Sequence, residues 1–166
     1  MIRNTAVTVC GPLNVNKLGV TYVHEHLMVK PQLPDEYYIP YTLDDEAAST
    51  EETRSFSAAG GETLVEMTPI NYGRNVKAYQ RIAQATGVHV ICCTGFHKQL
   101  FMPPWFGDKT DGELYDILMD EVTNGLDGTE IHPGVIKLGT SFEEVTAAEK
   151  RSIEAVARVH LDTGIP

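Results

Sequence analysis

Apolar and polar residues follow a repeating pattern along the chain, in which short runs of strand type alternate with longer segments of helical periodicity. Four strands are predicted, at 20–24, 63–67, 88–93 and 134–139. Four helices are predicted to follow them, at 43–59, 75–87, 110–125 and 146–164. Ile165-Pro166 then fits the beginning of a fifth strand. This order predicts a parallel sheet covered by helices, which is either doubly wound or part of a barrel.

Two segments lie outside this repeat. Residues 5–10 alternate between apolar and polar and are followed by Gly11-Pro12, which predicts a small β-ribbon at the N-terminus. Residues 30–41 contain three prolines and three tyrosines. We interpret them as a loop, and its length favours a binding role over a simple connection.

The last helix has a predicted inward face that follows helical spacing. Its members are Ile153, Val156, Ala157, His160 and Leu161. Because His160 lies on this apolar stripe, we interpret it as a packing residue and not as a metal ligand.

Two histidines, His24 and His26, stand at the end of the first strand. Side chains alternate between the faces of a strand, so the two imidazoles are expected to point the same way, about 7 Å apart. At that spacing both can reach one divalent ion through Zn–N bonds of about 2.1 Å. The alternative is a pair of strand histidines satisfied by ordinary hydrogen bonds, and the pair alone does not decide between the two.

Lys137 is the second informative residue, because it lies in the apolar run 135–138, where a charged ammonium is costly to bury. One interpretation is a lysine that reaches solvent or pairs with a carboxylate. The other is that burial lowers the pKa of the amine, which then reacts with carbon dioxide to give a carbamate that bridges two metal ions. Like His24, His26 and Glu66, Lys137 lies toward the carboxyl end of a strand, and His97 lies just beyond one, which is where α/β folds place their chemistry.

Composition and charge narrow the classes of function. With 166 residues, the chain fits one domain with a sizeable core. The net charge of −10 disfavours nucleic acid and anionic membranes as partners, and no apolar run approaches the ~18 residues of a membrane span. No strand is followed by a glycine-rich phosphate-binding signature, so a nucleotide-binding module is a weak alternative. The three cysteines form no CxxC pair, and the first residues lack a signal-peptide core, so we expect a cytoplasmic protein.

Six stretches of the chain carry a resemblance to a known family. They are 19–27 with both histidines, 61–68, 85–87, 93–95, 127–129, and 133–140 with the lysine. In this order they resemble the phosphotriesterase-like (phosphotriesterase homology) family of the amidohydrolase superfamily. The combination of a His-x-His pair on strand one with a lysine on strand four is the most specific part of the resemblance.

The resemblance implies a (β/α)₈ barrel with two divalent metal ions, usually zinc, at its C-terminal rim. His24 and His26 would bind the more buried ion, and a carboxylated Lys137 would bridge both ions and serve as the catalytic lysine. A metal-bridging hydroxide would attack the carbonyl of a lactone or the phosphorus of a phosphate ester. The full-length protein is expected to be a homodimer that acts on a small molecule.

The same resemblance implies roles for four further residues. His97 stands where lactonases of the family often carry a tyrosine, so it is a candidate for substrate binding. Lys98 and Arg74 follow strand ends and are candidates for contact with a substrate phosphate, with solvated surface charge as the alternative. Glu66 matches an acidic position of strand two and is expected to support the site and not to bind metal.

Length sets the limit of these expectations, because a barrel of this kind needs about 250 residues. The 166 residues account for the N-terminal half of a (β/α)₈ TIM barrel, with about four βα units after the ribbon. The two histidines and the aspartate that the family carries on strands five, six and eight have no counterpart here. The alternative function is therefore a non-catalytic fragment or half-barrel that binds metal weakly and needs a partner segment.

Overall fold

A computed structural model describes residues 4–31 and 42–166. The predicted binding loop at 30–41 lies almost entirely outside these residues. Six strands are described: β1 Thr5–Thr8, β2 Gly11–Asn14, β3 Thr21–Glu25, β4 Thr63–Glu66, β5 His89–Phe96 and β6 Val135–Leu138. Four α-helices are described: α1 Glu46–Ala58, α2 Val76–Thr86, α3 Asp111–Asn124 and α4 Ala147–Thr163.

Strands β3 to β6 form one curled parallel sheet in which the strand order follows the chain order. Strands β1 and β2 pair antiparallel as the predicted N-terminal ribbon. A helix follows each strand of the large sheet, which is the arrangement of half a (β/α)₈ barrel. The prediction of an N-terminal half-barrel is confirmed, and the doubly wound alternative is wrong.

Two element boundaries differ from the sequence prediction by three residues, and each difference has a local physical reason. Helix α1 begins at Glu46 and not near Leu43, because the backbone of Leu43 pairs with Val29 and the Asp45 carboxylate caps the amides of the first turn. Strand β5 runs three residues beyond Cys93, because Gly95 adopts a φ of +117° and stays in register with Lys137.

The predicted inward face of α4 is right for Val156, which is buried, but wrong for three of its other members. His160, Leu161 and Ala157 are exposed, and the side chain of Leu161 is 80% exposed. The residues that face the sheet are Glu149, Ser152, Ala155, Val156 and Val159. His160 is therefore not a packing residue; its Nδ1 lies 2.7 Å from the carbonyl oxygen of Ile165. Small and polar side chains on the buried face concealed the true stripe.

Two clusters of buried side chains hold the helices on the sheet. The first surrounds Tyr79 and Ile82 of α2, which are fully buried against strands β4 and β5. The second joins Phe96 of β5 to Leu114 and Leu118 of α3 and to Val159 of α4. Burial of one such side chain contributes about 1.5–3 kcal/mol. In the part of the chain that the structure describes, no helix is long and apolar enough to cross a membrane.

We expect Gly95→Ala to destabilise the fold by more than about 3 kcal/mol. An added Cβ would lie 1.9 Å from the carbonyl oxygen of Lys137, and the backbone conformation itself disfavours a side chain. Gly87→Ala is the matched control, since Gly87 also has a positive φ but its Cβ would meet no atom within 4 Å. This control should cost only about 1–2 kcal/mol. Urea unfolding measures both changes, and equal losses would contradict the close approach of β5 and β6.

Candidate metal centre

The two histidines of the first barrel strand lie side by side at the rim. His24 belongs to β3 and His26 follows it directly, and their ring centroids are 5.4 Å apart. The register between β3 and β4 shifts between Tyr22 and Glu25, so three residues of β3 span two of β4. Bulges of this kind re-aim side chains next to functional sites. The two imidazoles lie close together, as expected from the sequence. They do so on a strand whose register is shifted and not on a regular one.

Lys137 comes to the same place from the far side of the sheet. It lies on β6, is only 9% exposed, and its Nζ is 3.2 Å from Nε2 of His24. On the neighbouring strand, Gly95 leaves room for the Lys137 backbone. Burial lowers the pKa of the Lys137 amine, as expected for an ammonium withdrawn from water. Of the two interpretations from sequence, a lysine paired with a carboxylate finds no support among its described contacts.

A hydrogen-bonded chain behind His26 fixes the orientation of its ring. The hydroxyl of Thr68 donates to Oε1 of the fully buried Glu66 at 2.6 Å. That hydroxyl has a single proton, so its oxygen accepts from Nδ1 of His26, 2.8 Å away. His26 then carries its proton on Nδ1, and Nε2 keeps a lone pair. Glu66 supports the site from behind, in agreement with the sequence expectation.

The histidines of the rim favour their neutral forms. Burial, together with the positive charges of His24 and Lys137, lowers the pKa of His26 to about 4. Burial, again the largest cause, and the charge of Lys137 lower the pKa of His24. Burial and the charges of Lys137, Lys98 and the two other histidines lower the pKa of His97 to about 4. A neutral imidazole is the form that binds a metal ion.

An aromatic cluster adjoins the histidine pair. The ring of His97 stacks on Phe101 at 4.8 Å, and the ring of Tyr72 meets both of them edge-on at 4.8 and 4.7 Å. Lys98 lies at the edge of this cluster, with Nζ 5.6 Å from the centre of the Phe101 ring. Nδ1 of His97 is buried and has no hydrogen-bond partner among the described residues. Sequence reasoning found His97 and Lys98 but missed Tyr72 and Phe101, whose aromatic rings carry no spacing signal.

Arg74 is not positioned to meet a substrate phosphate, and it is not a solvated surface charge either. Its side chain is 4% exposed, and its guanidinium pairs with Glu121 and Asp127 at 2.6 Å each. It also donates to the carbonyl oxygen of Cys93 in β5. Burial would lower the pKa of Arg74, but the two carboxylates raise it well above its usual value. Arg74 is therefore a structural residue whose guanidinium connects β5 to α3.

Comparison with known proteins identifies the family. The sequence profile of the phosphotriesterase family matches residues 4–166. The chain belongs to the phosphotriesterase family. This family lies within the amidohydrolase superfamily, so the resemblance seen in the sequence is confirmed.

Relatives in this family carry several hydrolytic activities. A phospho-furanose lactonase from Mycoplasmopsis synoviae is 32% identical, over 100% of this chain and 52% of the relative. An N-acetyltaurine hydrolase from Danio rerio is 31% identical, over 99% of this chain and 56% of the relative. The crystal structure of a lactonase from Listeria monocytogenes is 31% identical and superposes with a TM-score of 0.91, over 98% of this chain and 55% of that chain. The chain thus spans about half the length of the family members it matches.

The donor set at the rim fits a divalent metal ion, although it is small. His24 and His26 offer neutral imidazoles. Lys137 offers a buried amine that reaction with carbon dioxide would convert into a carbamate, which is an oxygen donor. Across residues 4–31 and 42–166, no three His, Cys, Asp or Glu side chains form a group suited to hold a metal ion. The metal ligation by His24, His26 and Lys137 therefore stays a prediction, with a geometry that suits it.

We expect Arg74→Ala to destabilise the protein by about 3–5 kcal/mol, because it leaves the largely buried carboxylate of Glu121 without its partner. Arg81→Ala is the matched control, since Arg81 forms an exposed pair with Glu46 and should change stability little. Urea unfolding at neutral pH measures both. A small effect of Arg74→Ala would show that the network is solvated and would reopen a role for Arg74 in substrate binding.

Proposed function

We propose that the protein in its complete form is a hydrolase that uses divalent metal ions, zinc in the first place, to cleave lactones or phosphate esters. The observation that carries this proposal is the convergence of His24 and Lys137, from the first and last strands of the half-barrel, at 3.2 Å. Membership of a family with named lactonases supports the hydrolytic chemistry.

The residues of this chain have separate roles in the proposed site. His24 and His26 would hold the metal through Nε2, and Lys137 would contribute a carbamate oxygen. Bound metal would supply Lewis-acid polarisation of the substrate and activation of water. Thr68 and Glu66 keep the His26 ring in the tautomer that leaves Nε2 available. No other described side chain is required for metal binding in this proposal.

The aromatic cluster is the proposed substrate wall. The ring of His97 lies beside Tyr72 and Phe101, next to the histidine pair. We therefore assign the His97 ring a contact with the substrate and Lys98 an ionic contact with a substrate anion. Assays need four substrate classes: a γ-lactone, a phosphorylated sugar lactone, a phosphate ester and an N-acyl amide. The last is included because one relative is an N-acetyltaurine hydrolase.

A second candidate function is metal binding without turnover. It is favoured by the small donor set, since the described residues offer two imidazoles and one lysine and no further cluster. In that case the chain would bind zinc in less than stoichiometric amount and hydrolyse nothing until a partner segment completes the site. The homodimeric state and the cytoplasmic location stay predictions from the sequence.

We expect Lys137→Ala to abolish hydrolysis, with a loss in kcat of at least about 100-fold, because bridging and orientation of the metal would be lost. Removal of metal by a chelator should do the same, and added zinc should restore activity. Lys98→Ala is the matched control, as another rim lysine; it should raise KM for a phosphorylated lactone and leave kcat nearly unchanged. Initial rates and zinc content by elemental analysis give the result. Full activity of Lys137→Ala or of the metal-free protein would exclude the proposal.

We expect Thr68→Val to weaken zinc binding by about 10- to 100-fold, because it removes the partner that holds Nδ1 of His26 protonated. Thr50→Val is the control: it removes a hydroxyl that bonds only to the carbonyl oxygen of Glu46 within α1. Calorimetric titration with zinc measures the affinities. Equal affinities in the two variants would show that the hydrogen bonds from His26 through Thr68 to Glu66 do not affect zinc binding.

A further inference from the structure

Glu149 is a buried carboxylate behind the rim, and it forms hydrogen bonds both within its own helix and with two loops. It is the third residue of α4, and its Oε2 accepts from the amide of Thr146 at 2.9 Å, which completes a capping box. Its other oxygen, Oε1, accepts from the amide of Gln99 at 2.9 Å and from the hydroxyl of Ser141 at 2.7 Å. The side chain is fully buried.

These two additional partners belong to the two loops that frame the candidate site. Gln99 begins a short 3₁₀ helix, Gln99–Phe101, in the loop that follows β5 and carries the His97 ring. Ser141 lies in the loop that follows β6 and its Lys137. One carboxylate group therefore joins the loop behind the proposed substrate wall to the loop behind the proposed metal-binding lysine.

The Gln99 amide depends on this carboxylate. Amides at the start of a helix have no partner within the helix and need a cap. Lys98, at the capping position of the short helix, makes no side-chain hydrogen bond to it. Glu149, 50 residues further along the chain, takes the place of a local capping residue.

The chain contains a second capping box that shows what the motif does alone. In α3, Glu113 bonds to Thr110 and to Lys109, which are its near neighbours in the sequence. It is exposed and reaches no loop of the rim. The two motifs share one local geometry, so the contacts to Gln99 and Ser141 are a separate feature of Glu149.

The charge of Glu149 strengthens the arrangement. Burial would raise the pKa of this carboxyl, but the hydrogen bonds from Ser141, Gln99 and Thr146 lower it to about 2. The group is thus ionised throughout the neutral range, and its hydrogen bonds are charge-assisted.

We propose that Glu149 is a positioning residue for the hydrolytic site, which holds the loops after β5 and β6 so that His97 and Lys137 keep their mutual placement. The catalytic importance of Glu149 rests on the proposed function. Its contacts with Gln99 and Ser141 can be tested without metal or substrate.

Amide hydrogen exchange of Gln99, followed by NMR, reads the contact directly. We expect Glu149→Ala to accelerate this exchange by at least about tenfold, the effect of losing one charge-assisted hydrogen bond. The Hε1 resonance of His97 should move toward the position of a free imidazole, because its stacking on Phe101 loosens. Two controls, Glu113→Ala and Thr146→Ala, each remove part of a capping box and should leave both signals in place. Thermal unfolding of all three variants separates a loss of helix stability from a change in the loops.

Each outcome either supports the proposal or overturns it. The proposal stands if only Glu149→Ala changes Gln99 and His97. It is overturned if either control variant changes these signals as much as Glu149→Ala does, or if Glu149→Ala leaves either signal unchanged. Should Glu149→Ala fail to fold, the wild-type protein still tests the contact, since a Gln99 amide that exchanges at the rate of an unprotected amide would exclude it. None of these measurements involves hydrolysis. A failure of the proposed function can therefore be told apart from a failure of this proposal.

Discussion

The curl of the parallel sheet is the constraint on which the candidate site depends. His24 and Lys137 are separated by 113 residues and lie on the first and last strands of the four. Three steps between neighbouring strands of a flat sheet would separate these strands by about 14 Å. Curvature turns the inward side chains toward one another, and the interatomic distance falls to 3.2 Å. Gly95 permits the tight approach of the last two strands, so backbone conformation and site geometry are linked.

Convergence of these groups has an electrostatic consequence. His26, His97 and Lys137 all lose solvent on the same rim, and the positive charge of Lys137 adds to the cost of protonating the two histidines. The neutral forms of the two imidazoles are therefore favoured, which leaves lone pairs on their nitrogens in a protein whose net charge is −10. A site rich in neutral donors on an acidic protein attracts a cation more readily than an anion. Substrate anions would then depend on bound metal or on Lys98 for their attraction.

The sequence predicted the order of strands and helices, the half-barrel and the joint placement of His24, His26 and Lys137. It succeeded because parallel strands in βα units gather their carboxyl ends at one rim whatever their exact boundaries. It failed for the buried face of α4, where helical periodicity followed apolar residues and the helix instead buries Glu149 and Ser152. Periodicity assumes that charged residues stay in water, and a buried charge with several partners breaks that assumption.

Arg74 and Glu149 belong to one class of residue that local patterns do not reveal. Each is charged, buried and bonded to segments distant in the chain: Arg74 to groups 47 and 53 residues away, Glu149 to one 50 residues away. The pairing depends on the fold, so no spacing rule could have predicted it. Such groups cost more to desolvate than apolar side chains of the same size, and they stabilise only when every partner is in place. Glu149 joins the loops that follow β5 and β6, whereas Arg74 ties β5 to the end of α3 and to Asp127, so each holds separate elements of the fold in place.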